Sequence, residues 1–371
     1  MDNNRNKAMN LKLSLGSVAA LMSVNMAYAA DAIVIAEPEP VEYVRVCDAF
    51  GAGFFYIPGT ETCLKFDGYV RMQIGARGGS DYDAGYFASD YAEGWRFTTR
   101  ARLNVDTRSE TELGTLRGFM RIQADATGSS DASYGMDQAM VQLGGFYVGY
   151  TDSAFGAPWA LPGMVRFGIL HTDDGGQYAS QQRQQIGYAF NGGNGLFGSI
   201  TLENDENDGE GYMPDVVGVA GISQGWGGVW GKAAYDESAE EWAGLLGAQY
   251  NIPGFKGSSI RVGVFYASGV NMYALDMPVS GGGSSDEGTV EWAVAASYNH
   301  AINAKWSATV GGEYFEEFSG DNAYLVQGAV VWLPVTNFEV RLEGSYASEE
   351  NLLNGEDDDT WSGLLRFTRY F

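Results

Sequence analysis

Six arginines stand at positions that repeat in steps of two or four along three stretches of the chain. Arg96, Arg100 and Arg102 share one stretch, Arg117 and Arg121 the next, and Arg71 stands in the stretch before. In an extended strand successive side chains point to opposite faces, so residues spaced by even numbers share one face. A row of guanidiniums is permanently charged and donates hydrogen bonds in fixed forks. Such a row is suited to steering and orienting polar or charged solutes. Like charges this close repel unless water and counter-charges screen them. The other chemistry-bearing residue types are sparse. The only two histidines, His171 and His300, leave little scope for Ser–His or metal-dependent catalysis, and there is no P-loop or G-x-S-x-G elbow. Residues Asn204–Gly209 look superficially like a calcium loop, but the Glu at the twelfth position and the flanking helices are missing. The sequence therefore points away from an enzyme, a cofactor and a metal centre.

The elements that carry these arginines read as β-strands with two unlike faces. Between Gly94 and Asp106, Trp95, Phe97, Ala101, Leu103 and Val105 alternate with the arginines. After a polar turn, Leu116, Gly118, Met120 and Ile122 alternate with Arg117, Phe119, Arg121 and Gln123. The stretch Leu64–Ile74 follows the same rule, as do Ile260–Tyr266, Val290–Tyr298, Trp306–Tyr314 and Phe338–Tyr346. A period of two with one apolar face suits either a soluble sheet or a transmembrane barrel. The connections separate the two. Short turns are expected at Asn191–Gly195, Gln224–Gly227, Asn251–Gly257, His300–Ala304 and Leu333–Asn337. Long acidic loops are expected at Gly79–Glu93, Thr127–Asp137, Asn204–Asp215, Ser268–Thr289 and Ser348–Asp359. Alternation of short and long connections predicts an all-β, closed antiparallel transmembrane barrel, with short periplasmic turns and long acidic extracellular loops. About sixteen strands fit between Leu64 and Phe371.

Composition and termini agree. Arg5, Lys7 and Lys12, the apolar run Leu13–Val24 and Ala27-Tyr28-Ala29 have the order of a signal peptide with its cleavage site. Residues 1–29 are thus expected to be removed, 30–62 to form an N-terminal segment, and 63–371 to form the barrel. The whole chain has 22 Lys and Arg against 47 Asp and Glu; loss of residues 1–29 leaves 19 against 46, a net charge near −27. That excess excludes nucleic acid as a partner. The acidic loops are candidates for loose divalent-cation binding and for contact with cation-bridged lipopolysaccharide. Cys47 and Cys63, the only cysteines, are expected to pair in an oxidising compartment, worth about 3 kcal/mol by loop-closure entropy. On the last strand Trp361, Gly363, Leu365, Phe367 and Phe371 share a face. Phe367 and the terminal Phe371 are expected to serve as the signal for barrel assembly in the outer membrane.

Val44–Leu64, the following Gly68-Tyr69-Val70-Arg71 and the ending Gly363–Phe371 resemble the outer-membrane porins of alphaproteobacteria (the rhizobial and Brucella general-diffusion type). The resemblance is close at both ends and architectural in between. It implies a sixteen-stranded barrel, usually a homotrimer, giving ions and small hydrophilic solutes a passive path through the outer membrane. It also implies that the third long loop, here Thr151–Gln182, folds into the lumen. That loop would set Asp152, Asp173 and Asp174 against a basic wall of Arg71, Arg96, Arg100, Arg102, Arg117 and Arg121. The preferred ion stays open at this stage, because an acidic rim and an arginine wall pull in opposite directions.

Overall fold

The alternation is realised as one continuous ladder. A computed structural model describes residues 45–79, 94–129, 131–159, 169–173, 181–204, 212–279, 287–351 and 356–371. The expected signal peptide (1–29) and the first part of the N-terminal segment lie outside the described residues. A two-residue strand, β1 (Phe55–Tyr56), precedes sixteen long ones. These are β2 (Cys63–Gly79), β3 (Gly94–Thr111), β4 (Gly114–Thr127), β5 (Ser133–Leu143), β6 (Phe146–Asp152), β7 (Gln182–Gly193), β8 (Leu196–Glu203) and β9 (Asp215–Gln224). They continue as β10 (Gly227–Asp236), β11 (Glu241–Asn251), β12 (Ser259–Ala267), β13 (Val290–Ala301), β14 (Trp306–Glu317), β15 (Asn322–Val335), β16 (Phe338–Asn351) and β17 (Glu356–Tyr370). Every strand pairs antiparallel with its neighbours in sequence, and β17 returns to β2 from Thr360↔Gly79 to Tyr370↔Tyr69. The ring of sixteen is closed, which removes the free edges that an open sheet would present.

The outer face carries the apolar set. Val264 is 47 % exposed and Leu342 59 %, whereas the inward Ser297 and Glu343 are 5 % and 2 % exposed. Exposed apolar side chains over a whole barrel wall are what lipid requires and water penalises. Arg369 is the exception on the outer face of β17. Its guanidinium reaches the carbonyl of Asn337 in the adjacent turn, so the long stem carries the charge to the rim.

Connections alternate as antiparallel order demands. On one rim lie 112–113, 144–145, 194–195, 225–226, 252–258, 302–305 and 336–337, all short. The opposite rim carries the long ones, but less uniformly than the sequence suggests. Connections 237–240 and 318–321 on that rim are also tight, and two expected loops shrink. β5 begins at Ser133, so Asp137 lies within a strand, and the β16–β17 ladder runs on from Ala347↔Thr360 to Asn351↔Glu356. In β5 a bulge at Asp137 breaks the period between Met136 and Gln138, and in the β16–β17 extension backbone pairing persists although the residues are polar, so the pattern marks neither.

Below the point where β17 ends, Gly68 and the terminal Phe371 exchange both backbone hydrogen bonds, and β1 then covers the remaining edge of β2 through Phe55↔Leu64 and Tyr56↔Cys63. Cys47 and Cys63 are joined, with Cα atoms 6.0 Å apart. Phe54 packs beside this disulfide, 5.9 Å from Phe50 between ring centroids, and Arg108 stands 5.0 Å over its ring. Replacing Cys47 by Ser is expected to cost this cap about 3 kcal/mol and to leave the barrel standing. Chymotrypsin should then cut at Phe54 or Phe55 in the folded variant and not in the parent. Equal resistance of the two would mean that ring packing and the β1 pairing suffice.

The inner face is not polar throughout. From β8 to β15 it also presents Phe197, Val217, Trp230, Leu245, Phe265 and Phe315, each at most 5 % exposed. Strict alternation does not anticipate this, since it assigns one apolar face per strand. A β-bulge at Val290/Trp292 adds to it, turning Val290 inward and out of step with Trp292, Val294 and Tyr298. The lumen therefore has a dry side and a charged side.

Candidate functional site

The charged side is built by register. Arg71 pairs with Arg100, Tyr69 with Arg102, Arg102 with Gln123 and Asn104 with Arg121. On the other side of β2, Gln73 pairs with Arg366, and Arg366 with Arg341. Arginines of β16, β17, β2, β3 and β4 thus form one contiguous inward stripe. Arg341 and Arg366 are absent from the wall inferred from sequence. Their inward parity is readable on their own strands, but only ring closure sets the last strands beside the first.

The stripe is balanced by carboxylates on its own strands and on the adjoining β5. Arg100 meets Asp125 at 2.5 Å, and Asp137 takes Arg121 at 3.2 Å and Arg102 at 3.8 Å. Asp106 accepts two forks at once, from Arg108 and Arg117, with 2.8 Å contacts to each. Arg341 lies 3.1 Å from both Glu339 and Glu343. Gln123 holds Arg102 and donates to Asp137 at 2.7 Å. Arg71 differs. Its guanidinium stands 5.3 Å over the ring of Tyr69, flanked by Arg100 and Arg366. Arg96, third residue of β3, lies level with Gly75, farther toward the long-loop rim.

The described residues of the connection after β6, 153–159 and 169–173, pack on the inner face of the barrel. Its first residues are held by Glu203, whose Oε1 accepts the Ala154 N–H at 2.7 Å, and by Lys232, whose Nζ donates to the Gly156 carbonyl at 2.8 Å. Trp159 donates from Nε1 to Gln142 at 3.1 Å and packs on Phe119, with Arg117 4.9 Å over the indole. Residues 169–173 then cross the inner face strand by strand. A Cβ on Gly263 would collide with Ile169, and one on Gly311 would collide with Ser297 and crowd Leu170, so glycine is what permits this close approach. The Leu170 carbonyl accepts from Arg261 at 2.9 Å, and His171 lies 2.7 Å from both Ser297 Oγ and Ser259 Oγ. Thr172 donates to Gln327 at 2.5 Å, and the Asp173 N–H is shared by the two oxygens of Glu343 at 3.0 Å. The Asp173 carboxylate pairs with Arg366, which also donates to Gln73.

Of the three acids expected at the waist, Asp173 therefore meets the basic stripe at Arg366. Asp152 ends β6 and accepts from Gln138 at 2.9 Å. Asp174 lies outside the described residues. Burial by itself would raise the Asp173 carboxyl, but Arg366, Arg341 and Arg71 outweigh it and hold it below the ordinary carboxylate range. Burial, with the charge of Arg261 added, pushes the His171 imidazole down to about 3. The neutral ring suits its position, since it can donate to one serine while accepting from the other.

A family model described as "Porin subfamily" matches residues 31–364. Among curated relatives, Porin Omp2b of Brucella canis is 38 % identical over 98 % of this chain and 100 % of its own length. Porin Omp2b of Brucella abortus is 37 % identical with the same coverage. Solved structures with the same fold include an anion-selective porin from Comamonas acidovorans (TM-score 0.55, 10 % identity, covering 84 % of this chain and 100 % of that one). The trimer form of OmpT, an outer-membrane protein of Vibrio cholerae, superposes with a TM-score of 0.51 at 13 % identity, covering 84 % of this chain and 100 % of that one.

Proposed function

The chain belongs to the porin subfamily of the alphaproteobacteria and is an outer-membrane β-barrel channel, and from that premise we propose that ions and small hydrophilic solutes diffuse passively through it past a charged waist. The observation that carries this reading is the inward stripe of Arg341, Arg366, Arg71, Arg100, Arg102 and Arg121, met at one end by Asp173 of the inward loop. A field across a narrow waist orients dipolar solutes and disfavours apolar ones, while net charge at the waist sorts ions. Most of the arginines have carboxylate partners beside them, so selectivity should be modest.

The rest of the assignment follows the same reading. The short-turn rim faces the periplasm and the acidic rim the exterior, where it contacts cation-bridged lipopolysaccharide; unchanged protease protection of those loops on adding EDTA would count against that contact. Residues 1–29 are a signal peptide, so amino-terminal sequencing of the exported protein should begin at Ala30. Phe367 and Phe371 act in assembly. The functional unit is a homotrimer.

One geometry favours a second reading. His171 touches two serine hydroxyls, as a hydrolase base would. Both of its ring nitrogens are thereby occupied, which leaves none for an orienting carboxylate, and a base with a pKa near 3 takes a proton poorly at neutral pH. We assign His171 to holding the loop, and no catalytic step to the protein. The test of function is single-channel current through unheated protein in a planar bilayer under a salt gradient. Ohmic openings grouped in threes are expected; a silent, correctly folded barrel would refute the channel.

A further inference from the structure

A second connection also enters the barrel. Between β12 and β13, Met272, Tyr273, Leu275, Met277 and Val279 are each at most 5 % exposed. The segment is bridged to its own return by Asn271↔Gly288 and Leu275↔Val290. Its side chains fill the dry side of the lumen against the apolar inner faces of β8–β15. An apolar core of this kind holds no continuous water. The permeation path is thereby confined to the space between this core and the arginine stripe.

Among the described residues the two inward segments meet at Phe155, Glu203 and Gln181. Phe155 of the first packs edge-on against Tyr273 of the second, with ring centroids 5.8 Å apart, and against Phe265 of the wall at 6.4 Å. Glu203 accepts the Ala154 N–H of the first segment on Oε1 at 2.7 Å and the Tyr273 hydroxyl of the second on Oε2 at 3.2 Å. The same hydroxyl lies 2.9 Å from Asp215 Oδ2. Asp236 accepts the Met272 N–H at 2.9 Å, and Gln181 donates to the Met272 carbonyl at 2.8 Å. Glu203, Asp215 and Asp236 are each at most 1 % exposed. Buried carboxylates without a donor are costly, so the one hydroxyl proton between two of them is a strong constraint on the position of Tyr273.

Building on the channel reading, we propose that the bore is set by both inward segments together, with Tyr273 and Glu203 as the positioning residues that clamp one to the other. Neither residue touches the solute. They act by keeping the first segment from moving across the lumen. Burial, then the charges of Glu203 and Asp215, keep the Tyr273 phenol protonated and able to donate.

The test compares wild type, Tyr273→Phe and Tyr273→Ala as purified, unheated protein, by single-channel current and by swelling of vesicles in neutral sugars of increasing size. Tyr273→Ala is expected to change the unitary current by about twofold, because current follows the open area at the narrowest section. It should also shift the largest sugar admitted. Tyr273→Phe keeps the ring and decides the matter if the alanine variant does not fold; it should add open-channel noise and sublevels absent from wild type. The reversal potential should not move in Tyr273→Phe, since the arginine stripe is untouched and Asp173 stays anchored on Arg366 and Glu343 at the far end of the segment, whereas general damage to the barrel would alter it too. Variants that still run as heat-modifiable barrels with wild-type current, noise and sugar limit would overturn the clamp. A wild type that passes no current would overturn the channel reading and the clamp with it.

Discussion

Arg71→Glu is expected to move the zero-current potential strongly toward the cation side. The substitution changes the charge by two at the place where Arg71 is flanked by Arg100 and Arg366 without an ion pair of its own among the described residues. Two unit charges 4 Å apart interact by about 4 kcal/mol at an effective dielectric constant of 20. A glutamate there would satisfy its two arginine neighbours and cancel much of the positive field felt by a passing ion. The displacement should be a sizeable fraction of the about 59 mV that a tenfold gradient sets for a monovalent ion. Arg117→Gln is the contrasting change. It removes one of two forks on Asp106, leaves Arg108 as partner, and should shift the potential far less. The measurement is reversal potential under a potassium chloride gradient, repeated at high salt, where screening should shrink the difference. Equal potentials for wild type and Arg71→Glu would mean that the ions do not pass along this wall.

Mild acid should loosen the first inward segment. An undocked imidazole titrates near 6.5, and the docked His171 near 3. Docking therefore favours the neutral ring. Its contribution is complete above pH 6.5 and is lost progressively as pH falls toward 3. The groups around the ring give a proton no welcome: Ser259 and Arg261 of β12, Ser297 of β13 and the Leu170 carbonyl, which Arg261 already occupies. Asp173 works in a lower window. Its carboxyl is held below the ordinary range, so its contribution is present above about pH 3.9 and is lost only beneath it. Between pH 6.5 and 4 the histidine titrates while Asp173 keeps its charge. Open-channel noise and closures in wild type should increase over that interval, and His171→Asn should show a flat profile across it. A wild-type profile as flat as that of the variant would remove His171 from the anchoring role.

Much of this was legible in the chain itself. The period of two in Gly94–Asp125 places Arg96, Arg100 and Arg102 opposite Trp95, Phe97 and Leu103, because the pleat alone decides which side chains share a face. The count of strands, the short turns, the pairing of Cys47 with Cys63 and the membership of an outer-membrane family follow from equally local signals. What the chain order hides is what lies beside what. Arg366 reaches Gln73 and stands next to Arg71 only because β17 closes on β2. Asp137 balances Arg102 and Arg121 because a β-bulge in β5, where Gln138 and Met136 pair with the consecutive Arg121 and Ile122, sets Asp137 on the inner face beside Gln138. The dry side of the lumen is invisible to alternation, since Phe197, Val217 and Phe265 are apolar on the face that the pattern reserves for water. They are accommodated because Phe155, Tyr273 and Leu275 arrive from connections far along the chain to cover them. Facing within a strand is a matter of covalent geometry over two residues. Closure of the ring and docking of the inward segments depend on residues that meet only when the whole barrel has formed.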